Sequence, residues 1–182
     1  LVGLASLPFL MSASCRSKQQ LPAEQRALET LRSMTRNDVL PSEDAVAAIE
    51  NQFPNTKTAA LARLLRARIK FNSKDFAGAA TLLDTKLIEQ HTSIADHALF
   101  LRASALEQAS RTAEARAVYQ QLLQTYPNSL RAREAALRAA DLLTKSGETA
   151  AVPLALKDLN QQDDPAALLA VGTLGATAAE AK

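Results

Sequence analysis

The sequence predicts an all-α chain, an α-solenoid of stacked antiparallel helix hairpins with about 3.5 repeats behind one N-terminal helix. Three observations carry that expectation. Among 182 residues there are 37 Ala and 29 Leu, both strong helix formers. Strand-forming residues are scarce, with 6 Val, 4 Ile, 5 Phe, 2 Tyr and no Trp. From Pro22 onward, apolar residues recur at helical rather than alternating spacing. A hydrophobic content of 47% with 22% charged residues suffices for a buried core and argues against disorder. The formal net charge of +2 lacks the broad basic field of a dedicated nucleic-acid binder, so nucleic acid is not an expected partner.

The first helix is predicted over residues 23–34, with Ala27, Leu28, Leu31 and Met34 at helical spacing. Pro41 breaks the chain, and Ser42 can cap a helix whose first turn carries Glu43 and Asp44, favourable against the helix dipole. That helix is expected to end near Phe53. The next runs over 57–71, followed by a turn at 72–74 and a helix over 75–88. Ser93 and Asp96 have the spacing of an acidic capping box. Further helices are predicted over 94–109, 112–125, 129–144, 149–160 and 165–181, the last capped by Asp163-Asp164.

These segments form a repeat. Phe53-Pro54-Asn55-Thr56 and Tyr126-Pro127-Asn128-Ser129 share one punctuation, an aromatic, a Pro and then a cap residue. Pro54, Thr92, Pro127 and Pro165 stand 38, 35 and 38 residues apart. Ala67, Ala103 and Ala140 fall midway along each first helix, where a small side chain lets neighbouring helices approach. Residues 42–182 therefore resemble the tetratricopeptide repeat, most clearly at those Ala positions, at Tyr119 and at the closing Pro127. Arg102 departs from the usual apolar residue before the small one. Lys74 and Ser110 replace the usual turn Gly, which is retained only at Gly147. A less regular stack of helical hairpins is the alternative architecture.

Two domains follow from this division, an export signal and tether at 1–20 and the repeat domain at 21–182. Leu1–Met11 is an apolar run too short to span a bilayer, followed by small residues and Cys15. The segment resembles the lipobox of bacterial lipoproteins, although Ser12 stands where that family has Leu and a basic leader is missing. The resemblance implies lipidation of Cys15, export to the periplasm and anchoring to the outer membrane. A plain signal cut after Ser14 and a buried N-terminal helix are the other readings. With one Cys, no disulfide framework is expected. The last helix carries Leu168, Leu169, Val171 and Leu174 without a partner helix after it, and the chain lacks an initiator Met. Truncation within a longer protein is thus expected.

No catalytic constellation is legible. His91 and His97 do not share the i, i+4 face of a metal site, and the five Gly residues are too dispersed for a phosphate loop. No cofactor or metal is expected, and the two His read as turn or surface residues. One charged feature is distinct: Arg63, Arg66, Lys70 and Lys74 follow one helix face with no acidic residue between Lys57 and Lys74. This strip is either a solvated face opposite Asp75 or Glu89, or a docking strip for an anionic partner. In repeats of the resembled type the first helices line a groove. Alignment on the small residues assigns to it Arg68, Phe71 and Asn72, then Phe100, Ser104, Glu107 and Gln108, then Asp141 and Lys145. Such a mixed lining with two Phe suits an extended peptide.

Two functional expectations remain. One is a non-catalytic protein-interaction scaffold of the bacterial cell envelope, binding a protein or extended peptide. The other draws on the stretch from Ala95-Asp96-His97 through Tyr126-Pro127-Asn128-Ser129, which also resembles the N-terminal helical superhelix of soluble lytic transglycosylases. That resemblance implies an accessory platform, related to peptidoglycan only through a catalytic domain outside these residues.

Overall fold

In the computed structural model the described residues are 22–36, 40–84 and 86–180, excepting the side chains of 177–180. Cys15 and the 1–20 segment lie outside the described residues. The described chain is helical throughout: α1 (Ala23–Met34), α2 (Glu43–Gln52), α3 (Lys57–Asn72), α4 (Phe76–Leu82), α5 (Leu87–His91), α6 (Ala95–Gln108), α7 (Thr112–Thr125) and α8 (Ala132–Lys145). A 3-10 turn (Thr149–Ala151) leads into α9 (Val152–Ala155), α10 (Lys157–Gln161) and α11 (Pro165–Glu180). Neighbours pack in sequence order: α2 on α3, α3 on α4, α4 on α6, α6 on α7 and α7 on α8. This is an α-solenoid of antiparallel hairpins.

The alternation follows from where the small residues fall. Ala67 and Ala103 are fully buried and Ala140 nearly so, each against the second helices beside it. The core is correspondingly segmented. Leu31, Val46, Ile49 and Ala62 join α1 and α2 to one face of α3. Ala60, Ala67, Leu83, Ile88, Ala98 and Leu101 fill the next layer. Tyr119, Leu106 and Leu122 fill the central one, and Leu143, Val152, Leu156 and Ala167 dock the C-terminal helices.

Caps set the starts. Ser42, Thr56 and Asp75 accept hydrogen bonds from the amides of Ala45, Ala59 and Gly78 at 3.4, 3.2 and 2.9 Å. Asp164 Oδ1 accepts from Ala166 and Ala167 at 3.0 and 3.2 Å, opening α11. The Ser93/Asp96 box does not form. Ile94 stands at the N-cap of α6 without a side-chain cap bond, and Asp96 instead accepts from Ser129 Oγ at 2.5 Å, tying two repeats together. Ser129 also accepts from the Arg131 amide, so α8 begins three residues later than expected.

Two predicted helices are broken. The 75–88 helix stops at Leu82, and α5 resumes at Leu87. The 149–160 helix divides because Pro153 has no amide to donate back, leaving a 3-10 turn before it and two short helices, split again at Leu156. The turns between paired helices are uniform. Lys74, Ser110 and Gly147 have φ of 66°, 60° and 79°, and each is flanked by the same pair of Schellman bonds. At the first, the Lys74 amide donates to Phe71 O and the Asp75 amide to Lys70 O, at 3.1 and 2.9 Å.

Candidate functional site

The first helices of three successive hairpins, α3, α6 and α8, bound a cleft of about 340 Å³. Helical spacing explains the contribution of α6: His97, Phe100, Leu101, Ser104, Glu107 and Gln108 fall on one face. Arg68 and Phe71 come from α3, with Arg131, Glu134 and Arg138 from the α8 side. Six of the nine groove residues expected from sequence thus line one cleft: Arg68, Phe71, Phe100, Ser104, Glu107 and Gln108. The other three do not line it. Asn72 is exposed at the end of α3, and Asp141 pairs with Lys145 at 2.6 Å on the exposed surface of α8.

The floor is a polar chain set among rings. Tyr119 is fully buried, its ring 5.7 Å from that of Phe100. Its hydroxyl lies 3.2 Å from Ser104 Oγ and donates to Glu107 Oε2 at 3.1 Å. Burial pushes the Tyr119 phenol up to about 12; the Ser104 contact opposes this and the Glu107 charge reinforces it. Glu107 in turn meets Arg138 at 3.3 Å. Over the rings sit two guanidinium groups, Arg131 at 5.1 Å from the Phe100 centroid and Arg68 at 6.0 Å from that of Phe71. His97, read from sequence as a turn or surface residue, is half-buried here. Burial first, then the charges of Arg131 and Arg68, hold its imidazole below the usual histidine range, against an opposing pull from Asp96.

His97, Leu101, Arg131, Glu134 and Arg138 are the lining residues that the sequence reasoning missed. The 97, 100, 104, 108 spacing would have found His97. The two arginines were lost because alignment on Ala140 selected Asp141 and Lys145, whereas α8 presents 131, 134 and 138 to the cleft.

The basic strip is a charge-paired face. Glu50, only 5% exposed, accepts from Arg63 Nε at 2.6 Å and Arg66 Nη1 at 2.8 Å. Arg66 continues to Glu43 at 3.0 Å, and Lys70 bridges Glu43 and Asp75 at 3.2 and 2.9 Å. The partners come mainly from α2 rather than from Glu89. Burial pulls Arg66 down, but its bonds to Glu50 and Glu43 prevail and raise it; the Arg66 bond lowers Glu43 despite desolvation. Lys74 occupies the left-handed turn position.

On the opposite face of α6, Leu83, Ile88, Ala95, Ala98 and Leu99 floor a second cleft of about 300 Å³. Arg102, the departure from the repeat pattern, reaches into it and pairs with Asp84 at 2.8 Å. Among the described residues no group of three or more His, Cys, Asp or Glu is arranged to hold a metal ion. Nor is any described helix long and apolar enough to cross a membrane.

Hairpins stacked at a period of about 36 residues around a side-chain-lined cleft define the class of α-solenoid repeat proteins. Within it, residues 97–129, from α6 through the turn after α7, match the tetratricopeptide repeat family model. Repeats of this kind generally mediate protein–protein interaction and are typically non-catalytic. No curated protein and no solved structure matches the chain.

Proposed function

We propose that this chain is a non-catalytic scaffold holding an extended segment of a partner protein in the α3–α6–α8 cleft. The observation that carries the reading is the composition of that cleft. Three consecutive first helices offer two Phe rings interleaved with hydroxyl, amide and charged groups. Alternating apolar and polar contacts suit a peptide with varied side chains better than a compact small molecule. The match of residues 97–129 supports it. The decisive experiment selects random peptides on the full chain and measures their affinity for Phe100→Ala. Loss of binding with an unchanged circular dichroism spectrum is expected. Retained binding would remove the cleft from the proposal.

The scaffold is placed at the periplasmic side of the bacterial outer membrane, tethered by a lipid on Cys15, on the strength of the lipobox-like segment ending there. Membrane fractionation of the chain expressed behind a complete signal, compared with Cys15→Ala, tests this. Equal soluble fractions of both would sink it. If a peptidoglycan-cleaving domain followed Lys182, the same helices would be its accessory platform; sequence past that residue separates the two.

A further inference from the structure

We propose, resting on the peptide reading above, that the cleft holds, beside His97, a subsite for an acidic side chain. An Asp or Glu of the extended partner segment is gripped there between Arg68 and Arg131. The assignment comes from how the arginines of this fold are used. Arg63 and Arg66 are consumed by Glu50 and Glu43, Arg102 by Asp84, Arg133 by Asp164 and Arg116 by Glu148. Arg68 differs. It is exposed, held over the Phe71 ring, and among the described residues no carboxylate lies within ion-pair distance of it. Arg131 is held over Phe100, and its carboxylate contact, Glu134 at 3.4 Å, is long.

The acidic groups of the cleft do not fill this role. Glu107 is taken by the Tyr119 hydroxyl and by Arg138. Arg68, His97 and Arg131 line the same cleft, and the charges of both arginines lower the His97 imidazole. A guanidinium supported by a ring keeps its in-plane N–H donors for a carboxylate and loses little freedom on binding. The neutral imidazole supplies one further donor. A side-chain carboxylate fits better than a chain terminus, because the lining continues beyond the two arginines to Ser104 and Gln108, so the peptide passes through.

The test selects random dodecapeptides on the full chain, then resynthesises the binders with amidated C-termini. Enrichment of Asp or Glu at one position is expected, with affinity falling roughly ten- to hundredfold on its replacement by Asn or Gln. The same loss is expected for Arg68→Gln against the unchanged peptide, with Arg68→Lys retaining part of the affinity. Arg68→Glu should shift the selection toward Lys or Arg. Binders sensitive to Phe100→Ala but indifferent to the acidic residue and to Arg68 overturn the subsite while leaving the groove intact. Binding that requires a free C-terminal carboxylate overturns the side-chain assignment. A selection that returns no cleft binder overturns both readings.

Discussion

The Tyr119 hydroxyl donates to Glu107 at 3.1 Å from a ring with no solvent exposure, linking the core of the α6–α7 hairpin to the wall of the cleft. One atom thus serves folding and site geometry together. Removing it in Tyr119→Phe conserves the ring volume but leaves Ser104 and Glu107 without this partner. A loss of about 1–2 kcal/mol is expected, measured by urea unfolding.

The same residue sets an alkaline limit. Its folded pKa, about 12, lies above the ordinary tyrosine value of 10.0, so the native state holds the proton more tightly than the unfolded chain. Its contribution is complete below pH 10 and is lost as the pH rises toward 12. The rise corresponds to at most about 3 kcal/mol of stability. Lys70, also raised, loses its contribution at high pH, so the comparison must be made with Tyr119→Phe. The variant should show a shallower fall in stability between pH 10 and 12. Parallel curves would contradict the assignment.

Glu50 is the keystone of the charged face, because two arginines converge on it and it is nearly buried. Glu50→Ala leaves Arg63 without its carboxylate and Arg66 with Glu43 alone. The arginines remain partly solvated, so the loss falls below that of a fully buried pair, about 1–3 kcal/mol in urea unfolding. Glu50→Gln should lose less. Adding Arg63→Ala to Glu50→Ala should cost less than the sum of the two single changes.

Asp164 tests how α11 is held. Its carboxylate caps α11 through two amides and receives Arg133 Nε from α8 at 2.6 Å. The Arg133 bond, ahead of the two amide bonds, keeps Asp164 below the usual carboxylate range. Its contribution is therefore present at neutral pH and lost as the pH falls through the depressed value. Asp164→Ala should speed amide exchange and proteolysis across 165–176 while leaving α6 and α7 protected, since repeat arrays open locally. Uniform exchange along the chain would show that α11 unfolds only with the whole.

The hairpin period was legible because two signals coincide in it, helical spacing within each segment and the recurrence of Ala67, Ala103 and Ala140 between segments. Cap residues were legible where a single Ser or Asp precedes an apolar run. The breaks were not, because Pro153 sits inside an otherwise helical pattern and Leu82 carries no stop signal of its own. The cleft was partly readable. Alignment on small residues transfers from α3 to α6, which share their phase, and fails for α8, whose start Ser129 delays by bonding to Asp96. The pairing of the basic strip was hidden because its main acid, Glu50, lies on another helix and carries no local sequence mark.

Backbone handedness at the hairpin turns, signalled in the sequence by the turn position that Lys74 and Ser110 share with Gly147, yields the last prediction. Gly147, Ser110 and Lys74 hold equivalent left-handed positions with equivalent Schellman bonds, but only the glycine adopts that conformation without a Cβ penalty. Neither substitution removes a backbone bond, since each turn is closed by main-chain amides. Ser110→Gly and Lys74→Gly should therefore each stabilise the fold by about 0.5–1 kcal/mol, partly offset by the entropy glycine adds to the unfolded chain. The two sites lie in different turns, so their effects should add within about 0.5 kcal/mol. Gly147→Ala should act oppositely although open space surrounds its Cβ position, because the strain lies in φ rather than in packing. Urea midpoints of the three variants and of the double Gly variant decide it. Destabilisation by Ser110→Gly would mean that the turn serine contributes more than its conformation costs.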